Sequence, residues 1–187
     1  MTQPRSFPSD LLLESPRLQL RPMRHADAAQ WLEMMADPQV MRYWHHAPWQ
    51  DLAEAQSALA ADREAYAKGE QLKLGMYRRD TGALIGMVQL FNIDDVSRRG
   101  EIGYCLASSV QGRGYMDEAL TCFIDYLAHT LHLRRLEGEI DPRNQGSART
   151  LERQGFVLEG TLRARWCVAG ELSDSGIYGL LLEPPVA

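Results

Sequence analysis

A short glycine-rich turn between a strand-like run and a helix-like run is the strongest constraint on how this chain folds. The turn is Gln-Gly-Arg-Gly-Tyr-Met at residues 111–116. Residues 101–107 before it predict a strand, and residues 115–131 after it predict a helix. Gly112 and Gly114 let the backbone turn sharply and approach a ligand closely. Free backbone N–H groups and the helix dipole at such a point favour an anion, most naturally a phosphate.

Two familiar phosphate loops do not fit this turn. A nucleotide-triphosphate loop ends in Gly-Lys followed by Ser or Thr, and no such run occurs in the chain. A dinucleotide fingerprint needs a third glycine three residues after the second, and the chain has Asp117 there. Taken alone, the two glycines fit an anion site and a plain strand-to-helix turn about equally well.

Helix and strand patterns are interspersed along the rest of the chain. Further helices are predicted at 27–35, 52–68 and 147–154, and further strands at 17–21, 72–77, 84–90, 136–140 and from 156, with a closing hairpin at 166–168 and 177–182. This mixture favours an α+β fold with a mixed, mostly antiparallel sheet flanked by helices. At 187 residues we expect one domain over 1–187, with residues 1–10 flexible.

Composition and charge restrict the classes of partner that this chain is expected to bind. A net charge of −5 argues against nucleic acid and is compatible with a cationic substrate. We expect no membrane association, because no apolar run approaches the length of a membrane span and the first residues do not resemble a secretion signal. Cys105, Cys122 and Cys167 are widely spaced, which favours reduced thiols in a cytoplasmic protein. His45 and His46 have no third ligand at a suitable spacing, so we expect no metal site.

Several motifs, taken in order, resemble one family. They are Glu-Ile-Gly-Tyr at 101–104, the turn at 111–115, Glu118-Ala119, Asn144, Ser147, Gly155-Phe156 and Glu159-Gly160. Their order and spacing resemble the GNAT superfamily of acyl-CoA-dependent N-acetyltransferases. Within it, residues 14–22 and 82–86 fit the RimJ/RimL-like branch of ribosomal-protein N-terminal alanine acetyltransferases. The resemblance spans residues 14–182 and implies a twisted GNAT-like sheet whose splayed central strands hold acetyl-CoA.

The resemblance implies that backbone N–H groups of the glycine-rich turn hold the pyrophosphate of acetyl-CoA. The implied donor-binding residues are Cys105, Leu106, Ala107, Gln111, Gly112, Arg113, Gly114, Tyr115, Met116 and Asn144. The strand at 101–107 would pair with the pantetheine arm like an added strand. It would splay from its neighbour at 105–107, where backbone N–H groups would stabilise the oxyanion. Met116 departs from the family pattern, which has a small residue there.

Catalysis needs a neutral amine and a proton for the departing sulfur. The resemblance implies that Ser147 hydrogen-bonds or protonates that sulfur, although Ser147 and Asn144 are also good helix-cap residues. Some ribosomal-protein acetyltransferases carry a Glu base at the position that aligns near Trp166 here. Glu101 is our candidate base. The alternatives are Asp94, Asp95, Glu171 and Asp174.

The expected reaction is direct attack of a primary amine on acetyl-CoA. A terminal α-amine has a pKa near ~8 against ~10.4 for a lysine, so it is easier to deprotonate. A protein or peptide N-terminus is therefore the favoured acceptor. A small amine such as an antibiotic or a polyamine is the alternative acceptor, and a non-catalytic acyl-CoA sensor is the alternative function. Members of the family are often dimers, so the resemblance leaves both a monomer and a homodimer open.

Overall fold

The computed structural model describes residues 5–182, and all strands in that range form one eight-stranded sheet. The strands are β1 (Leu13–Glu14), β2 (Leu18–Arg21), β3 (Leu72–Arg78), β4 (Leu84–Asp94), β5 (Arg99–Leu106), β6 (Arg135–Ile140), β7 (Val157–Val168) and β8 (Glu171–Leu181). The helices are α1 (Ala28–Met35), α2 (Pro38–Met41), α3 (Leu52–Ala67), α4 (Tyr115–His129) and α5 (Gln145–Arg153). The strand order is β1-β2-β3-β4-β5-β6-β8-β7. Only the β5–β6 pair in this sheet is parallel, which confirms the expected mixed, mostly antiparallel α+β fold.

Helices cover both faces of the sheet and create two cores. One core lies under α4 and α5 and contains Phe123, Leu127 and Leu151. The other lies under α1 and α3 and contains Trp31 and Leu59. Because β5 alternates between the two faces, its residues contribute to both cores.

Two elements differ from the sequence expectation. The sequence patterns did not predict α2, which begins at Pro38 because proline tolerates the first helical position and Asp37 caps the turn through Gln39 N–H at 2.8 Å. The strand predicted from 156 and the hairpin strand predicted at 166–168 are one continuous strand, β7. Its pairing with β8 shifts register twice, so the alternation that identifies a strand is interrupted along the sequence.

A buried ionic network joins β2 and β3 to the start of α1. Asp27 is 7% exposed, and its carboxylate accepts hydrogen bonds from Tyr77 Oη at 2.7 Å, Arg24 N at 2.6 Å and Arg21 Nη1 at 3.1 Å. The Arg21 guanidinium also lies 3.6 Å from the centre of the Tyr77 ring. Burial raises the pKa of Asp27, but these hydrogen bonds outweigh burial and hold the pKa below its ordinary value.

The first described residues pack against the body of the protein. Phe7 is 9% exposed, and its ring lies 5.3 Å from that of Tyr66. Residues 1–4 lie outside the described residues. Within residues 5–182, no helix has the length and hydropathy needed to cross a bilayer.

Candidate functional site

A cleft of about 1330 Å³ opens where β5 and β6 separate. These two strands pair at Arg99–Arg135, Gly100–Leu136 and Glu101–Glu137, and not beyond. The expected splay is therefore present, but it begins after Glu101 rather than at 105–107. The separation leaves one side of β5 without a partner strand over its second half.

The register of β5 on β4 shows which main-chain groups face this opening. Ala107 N–H donates to Ile85 O at 2.9 Å, so residues of the same parity direct their main chain towards β4. The main-chain groups of Tyr104 and Leu106 consequently face the opening. Leu106 O accepts a hydrogen bond at 3.1 Å from Gln111 Nε2, which fixes the start of the glycine-rich turn to the strand.

Cys105 and Ala107 were expected to present backbone N–H groups to a ligand, but in the structure these groups point elsewhere, although Cys105 lines the cleft. Their N–H groups point towards β4, because a pleated strand alternates the direction of its amides. The Cys105 thiol lies 3.7 Å from Met34 Sδ, and burial raises the pKa of this thiol to about 12. It is a core side chain without nucleophilic character at neutral pH.

The glycine-rich turn presents a row of free donors to the cleft. Gly112 and Gly114 have φ of 72° and 75°, a region that favours glycine. The first hydrogen bond of α4 runs from Glu118 N to Gly114 O at 3.2 Å, so the amides before it have no partner within the helix. Gln111, Gly112, Gly114, Tyr115 and Met116 all line the cleft. This is the geometry of an anion site at a helix start.

Two residues of the turn have roles different from those expected. The Met116 side chain is 8% exposed and packs in the core under α4, so it points away from the free amides and does not crowd them. Arg113 was expected at the anion site, but it is exposed and is not among the residues that line the cleft. Its carbonyl instead accepts from Arg17 Nη1 at 3.0 Å, which ties the turn to the segment before β2.

Asn144 and Ser147 lie together at the start of α5, on the cleft wall. Asn144 Oδ1 accepts from Ser147 N at 3.0 Å, so the helix-cap role is present. Ser147 O accepts from Tyr104 Oη at 3.2 Å, which connects α5 to β5. None of the described residues hydrogen-bonds Asn144 Nδ2, so this amide remains available to a ligand, while the Ser147 hydroxyl lies against Tyr104 Oη.

Glu101 lies at the opposite end of the same cleft, half-buried. Burial raises the pKa of its carboxyl, and the nearby charges of Glu139 and Glu137 add to that effect, while a 2.9 Å hydrogen bond from Asn92 opposes it. Glu137 differs from Glu101 in having two cationic partners, Arg99 at 3.1 Å and Arg135 at 2.8 Å. A raised pKa makes Glu101 a better proton acceptor than an ordinary carboxylate.

Sequence reasoning missed Glu139, which also lines the cleft. Trp166 Nε1 donates to its Oε1 at 2.6 Å, and Ser175 Oγ donates to the same oxygen at 2.5 Å. The His45 ring stacks on Trp166 with the ring centres 5.3 Å apart, so the loop after α2 closes over this end. The alternation Glu137-Gly-Glu139 on a predicted strand was the signal that could have identified it.

The four alternative bases are held elsewhere or already paired. Asp94 accepts from Ser97 N at 2.9 Å, and Asp95 pairs with Arg5. Asp174 accepts from Ala164 N at 2.8 Å, within the β7–β8 hairpin. Of the four, Glu171 alone lines the cleft, and it is ion-paired with Arg143. Among the described residues, His45 and His46 belong to no group of three ligands that could hold a metal.

Comparisons with known proteins agree with this geometry. A family model described as an acetyltransferase (GNAT) domain matches residues 17–157. "Uncharacterized N-acetyltransferase p20" of Bacillus licheniformis is 31% identical over 90% of this chain and 95% of its own length. The ribosomal protein uS5-alanine N-acetyltransferase of Escherichia coli K12 is 29% identical over 67% of this chain and 65% of its own length.

A third relative has a different acceptor. The spermidine N(1)-acetyltransferase of Escherichia coli K12 is 25% identical over 84% of this chain and 82% of its own length. Among solved structures, ribosomal-protein-S5-alanine acetyltransferase from Vibrio fischeri superposes with a TM-score of 0.79, at 24% identity over 95% of this chain and 100% of that one. At that level of identity the superposition shows a shared fold.

Proposed function

The chain belongs to the GNAT family of acetyltransferases, which use acetyl-CoA, and we propose that its acceptor is a primary amine, preferably the N-terminal α-amine of a protein or peptide. One observation carries this proposal: a single cleft joins the free amides of the glycine-rich turn to a carboxylate-lined end at Glu101 and Glu139. A donor held at one end therefore presents its acetyl group towards carboxylates that attract an ammonium group.

The residues present fit the donor. Acetyl-CoA supplies an activated acetyl thioester and carries a dianionic pyrophosphate, for which charge-assisted N–H donors are strong partners. We propose that the amides of residues 112–116, without the Arg113 side chain, hold the pyrophosphate. The Gln111 N–H is not among them, because it donates to Ser108 O at 3.3 Å. The free main-chain groups of Tyr104 and the N–H of Leu106 would pair with the pantetheine arm and the thioester carbonyl. Ser147 Oγ, which lies on the cleft wall next to the Tyr104 hydroxyl, would supply the proton to sulfur.

The acceptor end favours a terminal amine on an extended chain. It is bounded by exposed residues, including His45 and Trp166, the latter 39% exposed, so a peptide can leave the cleft without burying its length. An α-amine with a pKa near ~8 is also neutral in a useful fraction at neutral pH, unlike a lysine at ~10.4. Both points favour a polypeptide N-terminus over an internal lysine.

An acceptor panel tests the proposal. The protein is incubated with acetyl-CoA and short peptides that begin with Ala, Ser or Met, with their N-terminally blocked forms, and with spermidine. We expect release of CoA thiol with free peptides but not with blocked ones, and mass spectrometry that places the acetyl group on the α-amine. Tight binding of acetyl-CoA without thiol release across the panel would contradict the proposal and indicate an acyl-CoA sensor.

A small polycationic amine is the second candidate. Glu101 and Glu139 line one end of the cleft, and the chain carries a net charge of −5. A polyamine would satisfy both carboxylates at once. Faster turnover of spermidine than of every peptide in the same panel would favour this acceptor.

Two substitutions at Asn144 separate its cap role from donor binding. Asn144→Asp keeps the oxygen that accepts from Ser147 N and removes the amide donor. We expect unchanged stability and a KM for acetyl-CoA raised about fivefold, since one lost hydrogen bond is worth roughly 1 kcal/mol. Asn144→Ala should additionally lower the free energy of unfolding by about 1 kcal/mol. A wild-type KM in Asn144→Asp would leave Asn144 with the cap role alone.

A further inference from the structure

A second carboxylate lies nearer to the open part of the cleft than Glu101 does. Glu101 is level with Glu137, at the last paired position of β5 and β6. Glu139 is two residues further along β6, which runs parallel to β5, and so lies on the same face as Glu137. At about 3.3 Å per residue, Glu139 is roughly 7 Å closer than Glu101 to the level of Tyr104 and Leu106, where the strand's free amides face the opening.

The carboxylate of Glu139 is held in one orientation with one oxygen left free. Trp166 and Ser175 both donate to Oε1, and Arg165 Nε lies 3.7 Å from the same oxygen. The Glu139 side chain is 19% exposed, and none of the residues in 5–182 hydrogen-bonds its Oε2. One oxygen is therefore fixed by the protein, and the other is available to a group in the cleft.

We propose that Glu139 is the general base of the acetyl transfer, and this rests on the proposed function. Its Oε2 accepts a proton from the ammonium form of the acceptor, directly or through one water, and leaves a neutral amine. The N–C bond then forms and the C–S bond breaks, with the bonding pair going to sulfur. The second proton of the amine passes through the Ser147 hydroxyl to sulfur, and Glu139 returns its proton to solvent.

The charged and titratable groups around Glu139 come from three other elements. Glu101 faces it from β5, and Arg165 faces it from β7. His45, in the loop after α2, stacks on Trp166. Partial burial lowers the pKa of His45, and the charge of His46 lowers it further. The negative charge of Glu139 opposes both effects. His45 is therefore harder to protonate than a free imidazole, and Arg165 is the fixed positive charge next to the carboxylate. In this arrangement Trp166 and Ser175 are positioning residues.

A pair of isosteric substitutions tests the assignment with an N-terminal Ala peptide at saturating acetyl-CoA. We expect Glu139→Gln to lower kcat/KM about 100-fold at pH 7, in the usual range for loss of a general base, with the Kd for acetyl-CoA unchanged. The matched control is Glu137→Gln on the same strand and face. Glu137 is ion-paired with Arg99 and Arg135 and does not line the cleft, so its variant should stay within about threefold of wild type.

The pH profile of kcat/KM separates a general base from a residue with a structural role alone, because loss of a structural contact would not change the shape of this profile. Without the base, kcat/KM of Glu139→Gln should rise about tenfold per pH unit until the amine's own pKa near ~8, whereas the wild type should level off at lower pH. Trp166→Phe keeps a ring against His45 but removes the indole N–H. Its pH profile should lie between those of the wild type and Glu139→Gln. Glu101→Gln should lose less than about tenfold.

Three results would overturn the assignment. The first is a wild-type rate and pH profile in Glu139→Gln. The second is a 100-fold loss in Glu101→Gln that Glu139→Gln does not share. The third is a wild-type protein that binds acetyl-CoA but acetylates no amine, which overturns the proposed function together with the assignment. The first two results leave the proposed function intact.

Discussion

Gly112→Asp should weaken acetyl-CoA binding about 30-fold. Gly112 lines the cleft at the start of the row of free amides, and no other group lies within 4 Å of the position a Cβ would take. A carboxylate there fits sterically but places a negative charge a few ångströms from the pyrophosphate. Two unit charges at 4 Å repel by about 1 kcal/mol in water and about 4 kcal/mol near a protein surface. An intermediate value of roughly 2 kcal/mol corresponds to about 30-fold in Kd.

Gly82→Asp is a closely matched control for this experiment. Gly82 has φ of 71° against 72° for Gly112, and its Cβ position is equally open. It lies in the turn between β3 and β4 and does not line the cleft. Both variants carry the same charge and the same left-handed strain of about 1 kcal/mol, so their melting temperatures should fall alike. Isothermal titration should show the loss of affinity in Gly112→Asp alone; an equal loss in both variants would mean that the turn does not hold the pyrophosphate.

Asp27→Ala should lower the free energy of unfolding by about 3 kcal/mol. The substitution removes the acceptor of Tyr77, Arg24 and Arg21 and leaves the Arg21 charge partly buried without its partner. For a chain of this size the loss corresponds to a melting temperature about 6 to 12 °C lower. Asp80→Ala is the control, because its carboxylate is exposed and pairs with Arg78 at the surface, where such pairs contribute about 0 to 1 kcal/mol.

The difference in the free energy of unfolding between wild type and Asp27→Ala should depend on pH with a definite sign. The pKa of Asp27 is lower in the folded protein than its ordinary value of about 3.9, so the folded state binds the proton less tightly than the unfolded state. The stabilisation is fully present above pH ~4 and is lost as the pH falls through the folded pKa. Urea unfolding of wild type and Asp27→Ala at a series of pH values should show a gap that is constant from pH 5 to 7 and narrows below pH 4. A gap that widens on acidification would contradict the network.

Local patterns predicted the three structural elements that form the proposed donor end of the cleft. The strand, the glycine-rich turn and α4 are consecutive in the chain, and their signals are alternation, glycine and helical periodicity. The direction of the amides at 105–107 could not be predicted in the same way, because it depends on the register of β5 on β4. A shift of one residue exchanges the groups that face β4 with those that face the opening.

The acceptor end depends on contacts between distant parts of the chain, and the sequence predicted it less well. Glu101 was identified because it heads the strand that precedes the turn. Glu139 was missed, since its partners Trp166 and Ser175 are 27 and 36 residues away. The Arg113 side chain was expected in the cleft because its neighbours in sequence line the cleft. The turn at two glycines directs this side chain to solvent instead.

The gap between β5 and β6 gives the sheet two extra edges in its interior. Unpaired strand edges are templates on which another chain can pair and aggregate, and most proteins cover them. In the proposed arrangement acetyl-CoA would fill this gap and cover both edges. At a free concentration 100 times its Kd, a ligand of the folded state adds about 2.7 kcal/mol to stability. Bound acetyl-CoA would therefore stabilise the folded protein as well as supply the acetyl group.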